Sequence, residues 1–431
     1  MTQYRFARIG LLLAAIGLGA GPALVQTAHA QDKKEIAGAQ QETVRKEMYK
    51  FLDGKVLTPL LEGKKYAEVT ALLDQADAMP NKTGYEQYVI NRTRLAVAFG
   101  TNDRAKLIEM LEYATASGRM EKEEAARFTQ ALAGYYQEDK NWPKVIEKLT
   151  KYHQMSGDPK VPRQIMRIRF EAGDYKGVQA DLLKQLDESI KSNKPMTRDD
   201  LHMLADASHR LKDKAAYLTA LEGLVRWHPR DSYWSDMLYR TRGKENYSTR
   251  FSADIVRLQK VATTKMEEQD YVELAEVDQL EGQFIEGKAV LDAGIANGVV
   301  KMTDKIKKLK AQLDKQAADD TKSIAASEAN ARKAKNGTGL VNLGYAFVTM
   351  GQYDKGIGLI QEGIAKGGLK NAEDAKLRLG YSYAMAGKKD EAIKILETVQ
   401  GADGRADLAR YWILWINRPY PATVGEEDKQ G

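Results

Sequence analysis

The chain has 431 residues, 43% of them hydrophobic, with 35 glycines, 10 prolines and no cysteine. Leu, Ala, Lys and Glu dominate and few runs are rich in Val, Ile or Thr, a balance that points to an all-helical protein. The lack of cysteine excludes disulfides and lipid attachment at a cysteine. The formal net charge of +6, which falls to +4 without Arg5 and Arg8, gives no reason to invoke nucleic acid.

Arg5 and Arg8 make a basic start, a short apolar run follows over residues 9–20, and Ala28-His29-Ala30 is a small-x-small site. This three-part pattern predicts a signal peptide over residues 1–30, cleaved between Ala30 and Gln31. The apolar run, stopped by Gly21-Pro22, is too short to span a bilayer, and no later stretch is long and apolar enough. The mature chain, 31–431, is therefore expected in an extracytoplasmic space. The Ala-His-Ala-Gln site suits a bacterial periplasm.

After a polar stretch over 31–41, Val44, Met48 and Leu52 fall at helical spacing, with Leu57, Leu60 and Leu61 next. From there, turn-and-helix signals recur at Tyr66, near Asp103, and at Trp142, Tyr175, Lys214, Phe284, Tyr353 and Lys389. Most intervals lie near the ~34 residues of a helical-hairpin repeat. The intervals from Lys214 to Phe284 and from Phe284 to Tyr353 are double, so each is expected to hide a degenerate repeat. The first should turn over residues 246–249. The second should turn over residues 317–320, making two helices of residues 302–335, because Asp319, Asp320 and Thr321 can cap a new helix where the seam Met302, Ile306, Leu309, Leu313 stops. Trp227, Tyr233, Trp234 and Tyr239 surround Pro229 and read either as core between repeats or as a partner hot spot.

Residues 339–401 carry one pattern twice, 36 residues apart. Leu343-Gly344 returns as Leu379-Gly380, Phe347 as Tyr383, Gly351 as Gly387, Gly356 as Ala392 and Ile360 as Leu396. The small residue of the first helix faces a small residue of the second where the two cross, and the later glycine ends the first helix in a left-handed cap. This is the signature of a tetratricopeptide repeat (TPR), whose hairpins must stack to bury their apolar faces. The expected fold is all-α: a right-handed superhelical solenoid of about nine to ten TPR-like helical hairpins. Its clearest repeats lie at 336–401, with a C-terminal capping helix at 405–418 and a mobile tail at 421–431.

Four stretches carry a family resemblance: Val44-Arg45-Lys46-Glu47-Met48-Tyr49; Trp227-His228-Pro229 with Tyr233-Trp234; Gly294-Ile295-Ala296-Asn297-Gly298-Val299-Val300; and residues 367–412. Together they resemble periplasmic TPR proteins that accompany TonB-type energy-transducing systems. The resemblance implies a scaffold or adaptor that binds a protein of the cell envelope, in TonB-dependent outer-membrane transport or envelope assembly, with no catalytic residues. The alternative is a helical-repeat enzyme or small-ligand-binding protein of the periplasm.

No phosphate loop, acid–base dyad or nucleophile–base pair stands out, and no cofactor is expected. Gly356-Ile357-Gly358 lacks the strand that a dinucleotide fingerprint needs. His202, Asp206 and His209 share a helix flank without a fourth ligand, so no metal is expected. Protein contact is expected on the first helices of the C-terminal repeats, at Val341 and Tyr345 in one and at Leu377 and Tyr381 in the next, with Arg378 adding charge. A second contact is expected on the last helix. There Leu408, Tyr411, Trp412 and Trp415 make one stacked face, and Ile413 and Leu414 are left towards the open side.

Overall fold

The computed structural model describes residues 42–418, so the signal peptide and the 421–431 tail lie outside the described residues. Every regular element among the described residues is helical. They fall into two compact units, divided between Asp174 and Tyr175. The first holds α1 (Tyr49–Leu52), α2 (Gly54–Glu62), α3 (Tyr66–Asp77), α4 (Gly84–Thr101), α5 (Arg104–Ala116), α6 (Lys122–Glu138), α7 (Trp142–Ser156) and α8 (Val161–Glu171). The second begins with α9 (Tyr175–Ser192), α10 (Arg198–Arg210), α11 (Lys214–Trp227), α12 (Asp231–Arg242), α13 (Ser252–Ala262), α14 (Glu268–Glu281) and α15 (Phe284–Ala296). It ends with α16 (Asp304–Lys333), α17 (Thr338–Thr349), α18 (Tyr353–Lys366), α19 (Ala372–Met385), α20 (Lys389–Leu396) and α21 (Arg405–Ile416).

The hairpin period is real. Seven of the eight expected turn residues are the first residue of a second helix, and the eighth, Asp103, is the N-cap of α5, its side chain accepting from the Lys106 amide. The first hidden repeat is also present, as α12 and α13 joined across residues 243–251.

In the first unit each apolar cluster is shared by consecutive helices. Met48, Leu57, Leu73 and Ile90 form one; Leu95, Leu107, Leu111, Phe128 and Leu132 form the next; Ala133, Val145, Leu149, Val161 and Ile168 form a third. No hairpin buries its own face, so the stack itself is the core. A capping box fixes the start of α4, with Thr83 and Glu86 satisfying each other's backbone amides. The same Glu86 is fully buried and pairs with Arg45 at 2.8 Å, which ties the N-terminal segment down.

In the second unit the glycine pattern works as spacing demands. A Cβ on Gly344 would meet the Gly356 carbonyl oxygen at 2.6 Å, and one on Gly380 would meet Leu396 at 2.5 Å. Gly351 and Gly387 have φ of +79° and +74°, the left-handed conformation that ends α17 and α19.

The second hidden repeat is absent: residues 304–333 form one unbroken helix, α16. No glycine or proline lies between Gly298 and Gly337, so nothing breaks the helix. Thr321, Ser323 and Ser327 turn their hydroxyls back onto the carbonyls of Ala317, Asp319 and Ser323 and cap nothing. The seam does not stop but changes partner. Ile306, Leu309 and Leu313 pack with α14 and α15, whereas Ile324 and Ala331 pack with α17 and α18. One long helix thus takes the place of a hairpin.

Candidate functional site

The last helix decides what the inner side of the second unit can do. α21 does not simply close the end of the stack. It packs against α19 and α20 and also against α11 and α13, far upstream in sequence. Polar contacts fix it along its length. Lys244 pairs with Asp407, Arg410 binds Glu222 through two bonds of 2.8 Å, and Tyr411 Oη meets Thr241 Oγ1 at 2.9 Å. At its C-terminal end Trp415 Nε1 donates to the Val261 carbonyl at 2.9 Å. Ahead of the helix, Arg250 binds Asp403 at 2.7 Å. Gly404 stands at φ +98°, where a Cβ would strike the Tyr247 ring.

An aromatic ladder joins α21 to the C-terminal repeats. Ring centroids lie 5.7 Å apart for Tyr345 and Tyr381, 5.1 Å for Tyr381 and Trp412, and 5.4 Å for Trp412 and Trp415. Such tilted and edge-on pairs contribute beyond their area. The ring of Tyr345 is also flanked by two guanidinium groups, Arg257 at 5.2 Å and Arg378 at 4.8 Å.

The residues expected to meet a partner are therefore together but mostly covered. Val341, Tyr345, Leu377 and Tyr381 are all buried, and Arg378 and Ile413 are half-buried. Leu414, expected on the open side, is 2% exposed. A helix capping one end of a stack has one covered face; α21, with α11 and α13 against it as well as α19 and α20, has more, and Leu414 is left no open side. Of the aromatics around Pro229, Trp234 is core and Tyr239 is exposed. On the α10 flank, His202 Nε2 is 2.8 Å from Tyr233 Oη.

Below the ladder lies a charged cluster that the sequence pattern did not single out. Arg257 is buried and reaches both oxygens of Glu286 from Nε, at 3.0 and 3.1 Å, and Glu286 again from Nη2 at 2.8 Å. It also binds the fully buried Asp278, and Asp254 at 3.3 Å. Burial alone would lower the Arg257 pKa, but Glu286, Tyr345 and Asp278 hold it well above its ordinary value. Burial pushes Asp278 up to about 8 against the pull of Arg257, with Glu286, Glu281 and Asp254 adding to the rise. The one available signal was a lone arginine inside Ile255-Val256-Arg257-Leu258, a charge at a core position that must find partners.

No family model matches the chain, and no curated protein matches it. Among solved structures it is similar to one described as Naa15/Naa10 bound to HypK-THB, at 14% identity and a TM-score of 0.28, over 82% of this chain and 58% of that one. It is also similar to the TPR domain of P58(IPK), at 10% identity and a TM-score of 0.22, over 86% of this chain and 97% of that one. The chain thus spans little more than half the length of the first. At such TM-scores the likeness carries no argument, and the hairpin architecture rests on this chain's own helices.

Proposed function

We propose that the protein is a periplasmic scaffold that binds another protein of the cell envelope, in the TonB-linked transport or envelope-assembly setting that the sequence resemblance implies. One observation supports this most. The hairpins of the second unit hold a helix laid against them, α21, by aromatic stacking and ion pairs from several helices at once. Helix-in-groove recognition uses the same contacts. Arg378 and Ile413 retain accessible surface for a partner, Tyr345 and Tyr381 act by holding α21 in place through Trp412, and Val341, Leu377 and Leu414 are buried.

The test is cell fractionation followed by reciprocal copurification. The chain should be found in the periplasm, beginning at Gln31, and one envelope protein should recover it and be recovered by it. A cytoplasmic, unprocessed chain would overturn the location. Failure of reciprocal recovery from intact periplasm would overturn the scaffold. A second reading, as a small-ligand-binding protein, is favoured by the polar cavity beside Arg378.

A further inference from the structure

A cavity of about 250 Å³ opens in the second unit between the start of α13, the α14–α15 turn, α17 and α19. Phe251 and Leu377 give it an apolar floor, and polar groups supply the rest of its lining. Asn342 and Arg378 come from α17 and α19, Asn371 is the N-cap of α19, and Asp254, Glu281 and Gln283 come from the other two segments.

Several of these groups are uncommitted. Among the described residues Arg378 has no carboxylate at ion-pair distance. Asn342 Oδ1 holds its Nη1 at 2.8 Å, and the guanidinium lies over Tyr345. Glu281, an exposed residue at the rim, makes neither a hydrogen bond nor an ion pair with a described residue. Gln283 is 8% exposed, and its buried Oε1 has no hydrogen-bond partner. The remaining charges, Arg250 with Asp374 and Asp254 with Arg257, are already paired. Arg378 and Glu281 are thus the cation and the anion of this cavity that attract each other without a direct ion pair.

We propose that this cavity binds a free α-amino acid with a small side chain, its carboxylate on Arg378 and the Asn342 and Asn371 amides and its ammonium on Glu281. Size agrees with this. A cavity of about 150 Å³ takes up benzene, with its six non-hydrogen atoms, so a space of about 250 Å³ has room for an amino acid such as serine or threonine. The assignment stands whether or not the chain binds a protein partner.

The experiment is calorimetric titration of the purified full-length chain with glycine, L-alanine and L-serine, and with N-acetyl-L-serine and L-serinamide, which lack one charge each. At least one free amino acid should bind saturably, and both blocked forms should bind at least about tenfold more weakly, since each loses a charge-assisted contact. Arg378→Gln and Glu281→Gln should each weaken binding by about tenfold or more, with helix content and melting temperature retained. If either variant fails to fold, Asn371→Ala, at an exposed position, should still weaken binding severalfold. The proposal is overturned by no saturable heat up to about 10 mM of any free amino acid, by blocked forms that bind equally well, or by folded variants that bind as the parent does.

Discussion

Gly344 and Gly358 lie in one hairpin and should answer an added methyl group in opposite ways. A Cβ at Gly344 meets the backbone of Gly356 and Ile360, whereas one at Gly358 meets nothing within 4 Å. Gly344→Ala should therefore cost about 1–3 kcal/mol through overpacking. Gly358→Ala should gain about 0.5–1 kcal/mol through helix propensity. Melting curves of the two variants check this, and shifts of the same sign would mean that α17 and α18 do not approach as described. Asp278 offers a test by pH. Its carboxyl sits at about 8 in the folded chain, against an ordinary 3.8. Between those values the native state holds a proton that the unfolded state has released, so stability is greatest below the window and falls as pH rises through it. Asp278→Asn keeps an oxygen for Arg257 and removes the titration. The parent's melting temperature should fall over about pH 5 to 8 and the variant's should fall less; parallel curves would show that Asp278 ionises normally.

At the scale of the element, α16 gives the sharpest contrast between pattern and structure. Periodicity demanded a turn at residues 317–320, but spacing says only how often a chain can turn. A stretch rich in Ala and Lys with no Gly or Pro says that here it does not. Ala318 is exposed in mid-helix. Ala318→Pro should cost about 3 kcal/mol or more in a continuous helix, and in a turn it should be nearly silent; chemical denaturation separates the two. The eight turn residues were legible because seven start a second helix behind a local glycine, asparagine, aspartate or similar breaker and the eighth, Asp103, caps one, a signal confined to a few neighbouring positions. Leu414 was not legible, because α21 is also covered by α11 and α13, about 150 to 200 positions upstream. The partners of Arg257 were equally out of reach, since Asp278 and Glu286 sit on two other helices. For α21, Tyr411→Phe should cost about 1 kcal/mol, the worth of one net hydrogen bond to Thr241. An unchanged melting midpoint would mean that the hydroxyl finds no partner there.

At the scale of the molecule, the two units differ in how their stability is distributed. In the first unit each described apolar cluster joins helices adjacent in sequence, so its stability approximates a sum over neighbours. The second unit departs from that one-dimensional case, because α21 links α11 and α13 to α19 and α20. The Arg410–Glu222 pair alone spans 188 positions. Contacts of such sequence separation slow folding, because the intervening chain must be ordered before they form. During synthesis the surface of α11 to α13 that α21 covers therefore stays open until nearly the whole chain has been made. The apolar residues that α21 will meet remain wet for that time, and a chaperone has its longest opportunity there. Pulse-labelled hydrogen exchange during refolding should show amides of α11 to α13 reaching full protection only together with those of α21.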